Sequence, residues 1–211
     1  YDGITKNLLK GQYFVHQSFL PVGLPGALED NPFKFDPAKA KAILAKAGIK
    51  DAHFTLDVEN KAPFITIAQS MQASFAQGGV KVDLLPAAGS QVYARVRAKQ
   101  HQAAIRLWIP DYFDAHSNAS AFAWNDGKSS TVAGLNGWKI PELNKATLAA
   151  VAEPDPAKRL DLYKKMQEQL QHSSPYVFVD QGKTQIVVRD NVKGYQQGLN
   201  ADMVWYDRVT K

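Results

Sequence analysis

Between positions 53 and 109, segments in which apolar residues recur at one spacing alternate with segments in which they recur at another. Every second residue of 53–59 is apolar, which predicts a strand, whereas apolar residues recur at every fourth position of 63–79, which predicts a helix. The same patterns then predict a strand over 80–86, a helix over 90–100 and a continuous strand over 102–109. This order favours parallel strands joined by right-handed crossovers, with helices on both faces of the sheet.

The carboxyl end of the last predicted strand is the first candidate for a functional site. Open sheets of parallel strands bind their ligands beyond the carboxyl ends of the strands. Residues 111–118, Asp-Tyr-Phe-Asp-Ala-His-Ser-Asn, directly follow the strand that ends at Pro110. We therefore expect a site in this segment.

Start and stop signals predict helices on both sides of this unit. Asp36 and Pro37 are suited to the first positions of a helix that Gly48 ends. Two more helices are predicted over 141–153 and 155–173, followed by two short strands over 176–180 and 184–189. Residues 1–12 have the pattern of the second half of a helix that ends at Gly11, so we expect the chain to be a piece of a longer protein.

Composition excludes several classes of protein. The net charge of +5 comes largely from lysines at helical spacing, which is typical of solvated faces, and no RNA-recognition or zinc-finger spacing occurs. No segment has the roughly 18–20 apolar residues that a membrane-spanning helix needs. The sequence contains no cysteine, which excludes disulfides and thiolate chemistry, and it has no dinucleotide-binding or phosphate-binding loop. We expect no cofactor and no metal site.

Two acidic residues in the candidate segment are compatible with more than one chemistry. The spacing of Asp111 and Asp114 is compatible with the paired carboxylates of a hydrolase, but the same composition is common in turns. The five histidines are scattered without metal-binding spacing, and only His116 lies in the segment.

Aromatic residues favour binding over catalysis at this segment. They either form a buried core beneath the loop or supply flat apolar walls to a cleft, where Asp111 would hold a positive charge such as an ammonium group. The five aromatic residues concerned are Trp108, Tyr112, Phe113, Phe122 and Trp124.

Seven segments, in order along the chain, resemble the extracytoplasmic solute-binding proteins of ABC importers, in the peptide/opine/nickel class known as family 5. They include "NPFKFDPAKAKAILAKAG", "YARVRAKQHQAAIRLWIPDYFDAHSN" and "PYVFVDQGKTQIVVRDNVKGY". The resemblance implies an α/β fold, namely a periplasmic-binding-protein-like lobe with three αβα layers and a mostly parallel sheet. It also implies a protein without catalytic activity that closes two lobes around its solute.

The resemblance also implies roles for individual residues. The family pattern Trp-x-x-Asp-Tyr-x-Asp-Pro matches Trp108, Asp111, Tyr112 and Asp114, and departs from this chain at Ala115. In peptide binders the first aspartate pairs with the ligand's α-amino group, which assigns that role to Asp111. Asp114 and His116 are expected to support the site. Arg106 either faces a ligand carboxylate or forms a structural ion pair.

The family further implies a domain organisation and partners. Residues 1–182 are expected to form the second lobe, and residues 183–211 to return towards a first lobe. The implied partners are a peptide or another amine-bearing small solute and the membrane permease, with no nucleic acid, and the protein is expected to be a monomer. The implied location is the periplasm or the outer side of the cytoplasmic membrane through a lipid anchor. A hydrolase that uses Asp111 and Asp114, and a module that binds the permease through its lysine-bearing faces, are the alternatives.

Overall fold

The computed structural model describes residues 1–198 and 203–211. A π-helix, Gly3–Leu8, opens the chain and a 3-10 helix, Tyr206–Arg208, lies near its end. The α-helices are α1 (Pro37–Lys46), α2 (Phe64–Gln77), α3 (Gly89–Arg97), α4 (Ala115–Phe122), α5 (Val132–Leu135), α6 (Pro141–Ala152) and α7 (Pro156–Ser173). The strands are β1 (Tyr13–Val15), β2 (Ala52–Glu59), β3 (Val80–Ala87), β4 (Ala103–Ala104) and β5 (Asp180–Gly182). In the described part of the chain, no helix is long and apolar enough to cross a membrane.

Three parallel strands in the order β3-β2-β4 form the predicted sheet. Leu56 and Val58 of the central strand are buried together with Ala68 of α2. The side chain of Asp57 points to the opposite face of the sheet, because neighbouring strand residues alternate, and there it pairs with Arg95 of α3. The sheet therefore lies between helices, and the predicted α/β fold with αβα layers is confirmed.

The strand predicted over 102–109 is much shorter than expected. Only Ala103 and Ala104 pair with β2, and the amide of Ile105 adds one more hydrogen bond, to the Asp57 carbonyl oxygen at 3.0 Å. β2 continues for two residues past this pairing, to Glu59, but the chain beyond Ile105 leaves the edge of the sheet and forms no further ladder with it. The apolar residues that suggested a strand are exposed there, with Leu107 at 61%.

A second core lies among α4, α6, α7 and the irregular segment 17–28. Tyr163, Met166 and Leu170 of α7 are buried in it. The side-chain amide of Gln167 binds the irregular segment at three points. Its Oε1 accepts from the Ser18 hydroxyl and the Leu28 amide, and its Nε2 donates to the Gly26 carbonyl oxygen.

The strands predicted near the C-terminus are largely wrong. β5 pairs antiparallel with β1 and contains only Asp180 from the first predicted strand. Residues 184–189, the second, have no strand pairing, and Val187 is 98% exposed. A strand with no neighbouring backbone to bind does not form, whatever its propensity. Of the predicted return segment 183–211, residues 199–202 lie outside the described residues.

Candidate ligand-binding site

The segment between β4 and α4 carries most of the predicted site residues and lies beyond the carboxyl end of β4. Trp108 is 37% exposed and Tyr112 is 47% exposed. The indole of Trp108 rests edge-on against the buried ring of Phe122, with 5.6 Å between ring centroids. Phe122 therefore belongs to the core, whereas Trp108 and Tyr112 present aromatic surface to solvent.

Asp111 is held by its backbone rather than by its carboxylate. Its amide donates to the hydroxyl of Ser117 on α4, at 3.0 Å, and Ser117 is buried. The Asp111 side chain is exposed, and across the described residues its carboxylate takes part in no ion pair. The loop thus positions a carboxylate that is available to a ligand.

Asp114 is engaged within the protein. One carboxylate oxygen accepts from the backbone amide of His116, which caps the start of α4. The two oxygens also accept from the two terminal nitrogens of Arg159 on α7, at 2.7 and 2.9 Å. The hydrogen bonds from Arg159 hold the pKa of the Asp114 carboxyl below its usual range. A general acid needs a raised pKa, so this carboxylate is unsuited to that half of a hydrolytic pair.

Arg159 is a residue that the sequence did not single out. Besides holding Asp114, its Nε donates to the Ala150 carbonyl oxygen at the end of α6, at 3.1 Å. Its guanidinium also lies over the Tyr163 ring, 5.1 Å from the centroid. One side chain therefore connects α6, α7 and the loop that carries Asp111. In the sequence, Arg159 is distinguished only by its position in the first turn of a capped helix.

Arg106 and His116 have surroundings that the sequence did not foresee. The guanidinium of Arg106 lies over the ring of Tyr93, 5.0 Å from the centroid, and no ion pair in the described ranges includes Arg106. Both alternatives for Arg106, a contact with a ligand carboxylate and a structural ion pair, therefore stay predictions. Burial lowers the pKa of His116, and its Nδ1 has no hydrogen-bond partner among the described residues.

Comparisons with known proteins agree with this architecture. The chain is 25% identical over 202 residues to the dipeptide-binding protein of Escherichia coli, and 27% identical over 204 residues to a probable D,D-dipeptide-binding periplasmic protein of the same organism. Each match covers 92% of this chain but only 37% and 38% of the relative, so the chain spans well under half the length of these relatives.

Solved structures show the same fold. HbpA2 from Haemophilus parasuis aligns with a TM-score of 0.80 at 21% identity, over 91% of this chain and 39% of its own. The periplasmic binding protein DppA from Helicobacter pylori, in complex with the peptide STSA, aligns with a TM-score of 0.76 at 23% identity, over 92% and 38%. The family model described as bacterial extracellular solute-binding proteins, family 5 Middle, matches residues 1–130. The chain belongs to this family of solute-binding proteins.

Proposed function

We propose that this chain forms the second lobe of a two-lobed substrate-binding protein of an ABC import system. In this proposal residues 1–182 form the lobe and residues 183–211 lead back to the first lobe. The exposure of residues 184–189 supports the proposal, because an apolar segment such as this one is suited to packing against further polypeptide. The lobe captures its solute without catalysis.

The observation that carries the proposal is the exposed carboxylate of Asp111 between two exposed aromatic side chains. Trp108 and Tyr112 supply flat apolar surface, and Asp111 supplies one negative charge. This combination suits a solute with an ammonium group, such as the free amino terminus of a peptide. Peptide binding is also what the names of the E. coli relatives describe.

The remaining predicted residues take secondary places in this proposal. Asp114 acts through Arg159 by fixing the loop, and His116 is a partly buried group in the first turn of α4. A hydrolase that uses Asp111 and Asp114 is disfavoured because both oxygens of Asp114 already accept hydrogen bonds from Arg159.

The proposal extends to partners and location, and membership of the family supports it. The protein delivers its solute to the membrane-embedded permease subunits of an importer, and it acts as a monomer in the periplasm or tethered by lipid outside the cytoplasmic membrane. It needs no nucleic acid and no cofactor. Within the described residues, no group of three or more His, Cys, Asp or Glu side chains is arranged to hold a metal ion.

Calorimetric titration tests the proposal. The two-lobed protein that contains this chain is titrated with a library of peptides, as wild type and as Asp111→Ala. We expect the variant to lose affinity for peptides with a free amino terminus. Equal affinity in both proteins would show that Asp111 is not the anchor. The 211-residue chain alone is expected to bind weakly, because one lobe excludes less water from Asp111 than two do.

A further inference from the structure

Helix α1 contacts the rest of the protein along one side only. A Cβ atom on Gly78, at the end of α2, would lie 3.2 Å from the Cβ of Ala40. A Cβ atom on Gly79 would lie 3.6 Å from the Leu44 side chain. Ala40 and Leu44 are four positions apart, so they lie on one face of the helix. None of the ten residues of α1 is buried, and its other sides therefore face away from the protein.

This outward surface is positively charged. Residues 37–50 contain four lysines and no acidic residue, although Asp36 and Asp51 flank the stretch. All four lysine side chains are exposed, and no ion pair in the described part of the chain includes any of them. The four lysines are Lys39, Lys41, Lys46 and Lys50.

Large apolar side chains are exposed beside these lysines. Ile43 is 58% exposed and lies between Lys39 and Lys46, its neighbours four and three positions away on the helix. Phe35, just before the helix, and Ile49, just after it, are 55% and 48% exposed. Apolar side chains grouped on an exposed surface and bordered by charge are typical of an interaction site.

The kind of cation on this surface favours a lipid partner over a protein partner. Protein interfaces are rich in arginine and poor in lysine, because a guanidinium forms paired hydrogen bonds with a carboxylate. All the cations of residues 34–50 are lysines, and the first arginine of the sequence is Arg95. A lysine can lay its apolar stem along a membrane interface and keep its ammonium group among anionic headgroups.

We propose that the outward surface of α1, together with Phe35 and Ile49, binds the surface of an anionic phospholipid membrane. The lysines approach the headgroup phosphates, and the exposed apolar side chains enter the headgroup region without crossing the bilayer. Binding is reversible, because only a few large apolar side chains take part. The surface contains none of the residues proposed to bind the solute, so it does not depend on that proposal.

Vesicle sedimentation tests the proposal. The two-lobed protein that contains this chain, prepared without any lipid anchor, is mixed with vesicles of phosphatidylcholine alone or of two parts phosphatidylcholine to one part phosphatidylglycerol. We expect binding to the anionic vesicles to be stronger by roughly tenfold or more, since each lysine near an anionic surface contributes about a fivefold change. Added sodium chloride should weaken that binding through screening.

Two variants test the parts of the surface separately. Lys39→Gln combined with Lys46→Gln should weaken binding to the anionic vesicles by roughly 10- to 30-fold. Ile43→Ser should weaken it by about fivefold although it changes no charge, because the side chain no longer enters the headgroup region. The urea midpoints of these variants should match that of wild type, since the changed side chains are exposed.

Helix α6 offers matched controls. Lys139→Gln combined with Lys145→Gln removes two exposed lysines at and before α6, and so makes the same change in net charge. Leu148→Ser removes an apolar side chain that is 58% exposed, as Ile43 is. Neither control should change binding to the anionic vesicles by more than about twofold.

Three outcomes would overturn the proposal. Equal binding to the two kinds of vesicle would mean that the lysines do not select an anionic surface. Equal losses in the α1 variants and in the α6 controls would mean that net charge alone attracts the protein. If no vesicles are bound but the double lysine variant loses solute import in a reconstituted importer, the partner of this surface is an acidic protein.

Discussion

Arg159→Met is the substitution that most sharply tests how the Asp111 loop is held. Methionine keeps much of the aliphatic length of arginine but lacks the guanidinium that lies over the Tyr163 ring. It removes the two hydrogen bonds to the Asp114 carboxylate and the one to the Ala150 carbonyl oxygen. The loop would keep only its attachment to the start of α4.

The expected cost is about 2 kcal/mol in the free energy of unfolding. A hydrogen bond to a charged group contributes about 1.5–3 kcal/mol when it is well shielded. The side chains of Arg159 and Asp114 are 25% and 34% exposed, so solvent screening keeps the total well below the sum of the separate bonds. Asp114 is left with partial access to water, which limits the penalty for the unpaired charge.

Urea denaturation followed by tryptophan fluorescence measures the change, since Trp108, Trp124 and Trp138 all lie in or beside the helical part that Arg159 holds together. The matched control is Lys165→Met on the same helix, which breaks the exposed pair with Asp161 at 2.6 Å. That control should cost no more than about 0.5 kcal/mol. Equal losses in the two variants would mean that the Arg159–Asp114 pair is no stronger than a surface pair.

The pH dependence gives an independent check. The pKa of Asp114 is lowered in the folded protein, chiefly by its hydrogen bonds with Arg159, so the pair contributes stability above the unfolded-state pKa of about 3.9. That contribution is lost as the pH falls through the lower pKa of the folded state. The stability difference between wild type and Arg159→Met should therefore be full at neutral pH and shrink below about pH 4. A difference that does not change between pH 7 and pH 3 would contradict the assignment.

Two further substitutions test the framework, both by urea denaturation. Gln167→Leu should lower the free energy of unfolding by about 3 kcal/mol, because it leaves polar groups of the irregular segment without their buried partner. The control Gln169→Leu, on the exposed side of α7, should change it by less than about 0.5 kcal/mol. Comparable effects of the two would mean that the buried amide is not what holds residues 18–28. Asp36→Ala should cost about 1 kcal/mol through loss of the hydrogen bond from the Lys39 amide, and Asp36→Ser should recover most of it. A serine variant as unstable as the alanine variant would count against capping as the cause.

Features governed by neighbouring residues were predictable from the sequence. The start of α1 is an example, because Asp36 accepts from an amide only three residues away and Pro37 already has a helical φ. The strand–helix order of residues 52–97 was predictable for the same reason, since each amphipathic face repeats at a fixed local period.

Features that depend on distant partners were not predictable. β4 is short because the chain leaves the backbone of β2 after Ile105, and the apolar run 105–109 does not indicate where that contact ends. The pairing of Asp114 with Arg159 joins residues that are 45 positions apart, and only packing of α7 against the loop brings them together. The position of Arg106 over Tyr93 likewise needs α3 and β4 to be placed side by side.

The central claim is that Asp111 binds the amino group of the solute, and a calorimetric cycle on the two-lobed protein tests it most directly. A dipeptide that binds wild type is compared with its N-acetylated form, in wild type, in Asp111→Asn and in the control Asp51→Asn, which removes an exposed carboxylate elsewhere. We predict that acetylation weakens binding to wild type and to Asp51→Asn by roughly 10- to 100-fold, which is the equivalent of one charge-assisted hydrogen bond in a closed cleft. In Asp111→Asn, acetylation should have little effect on the affinity. If acetylation weakens binding equally in Asp111→Asn and in wild type, the amino group is bound by another residue and the account is wrong.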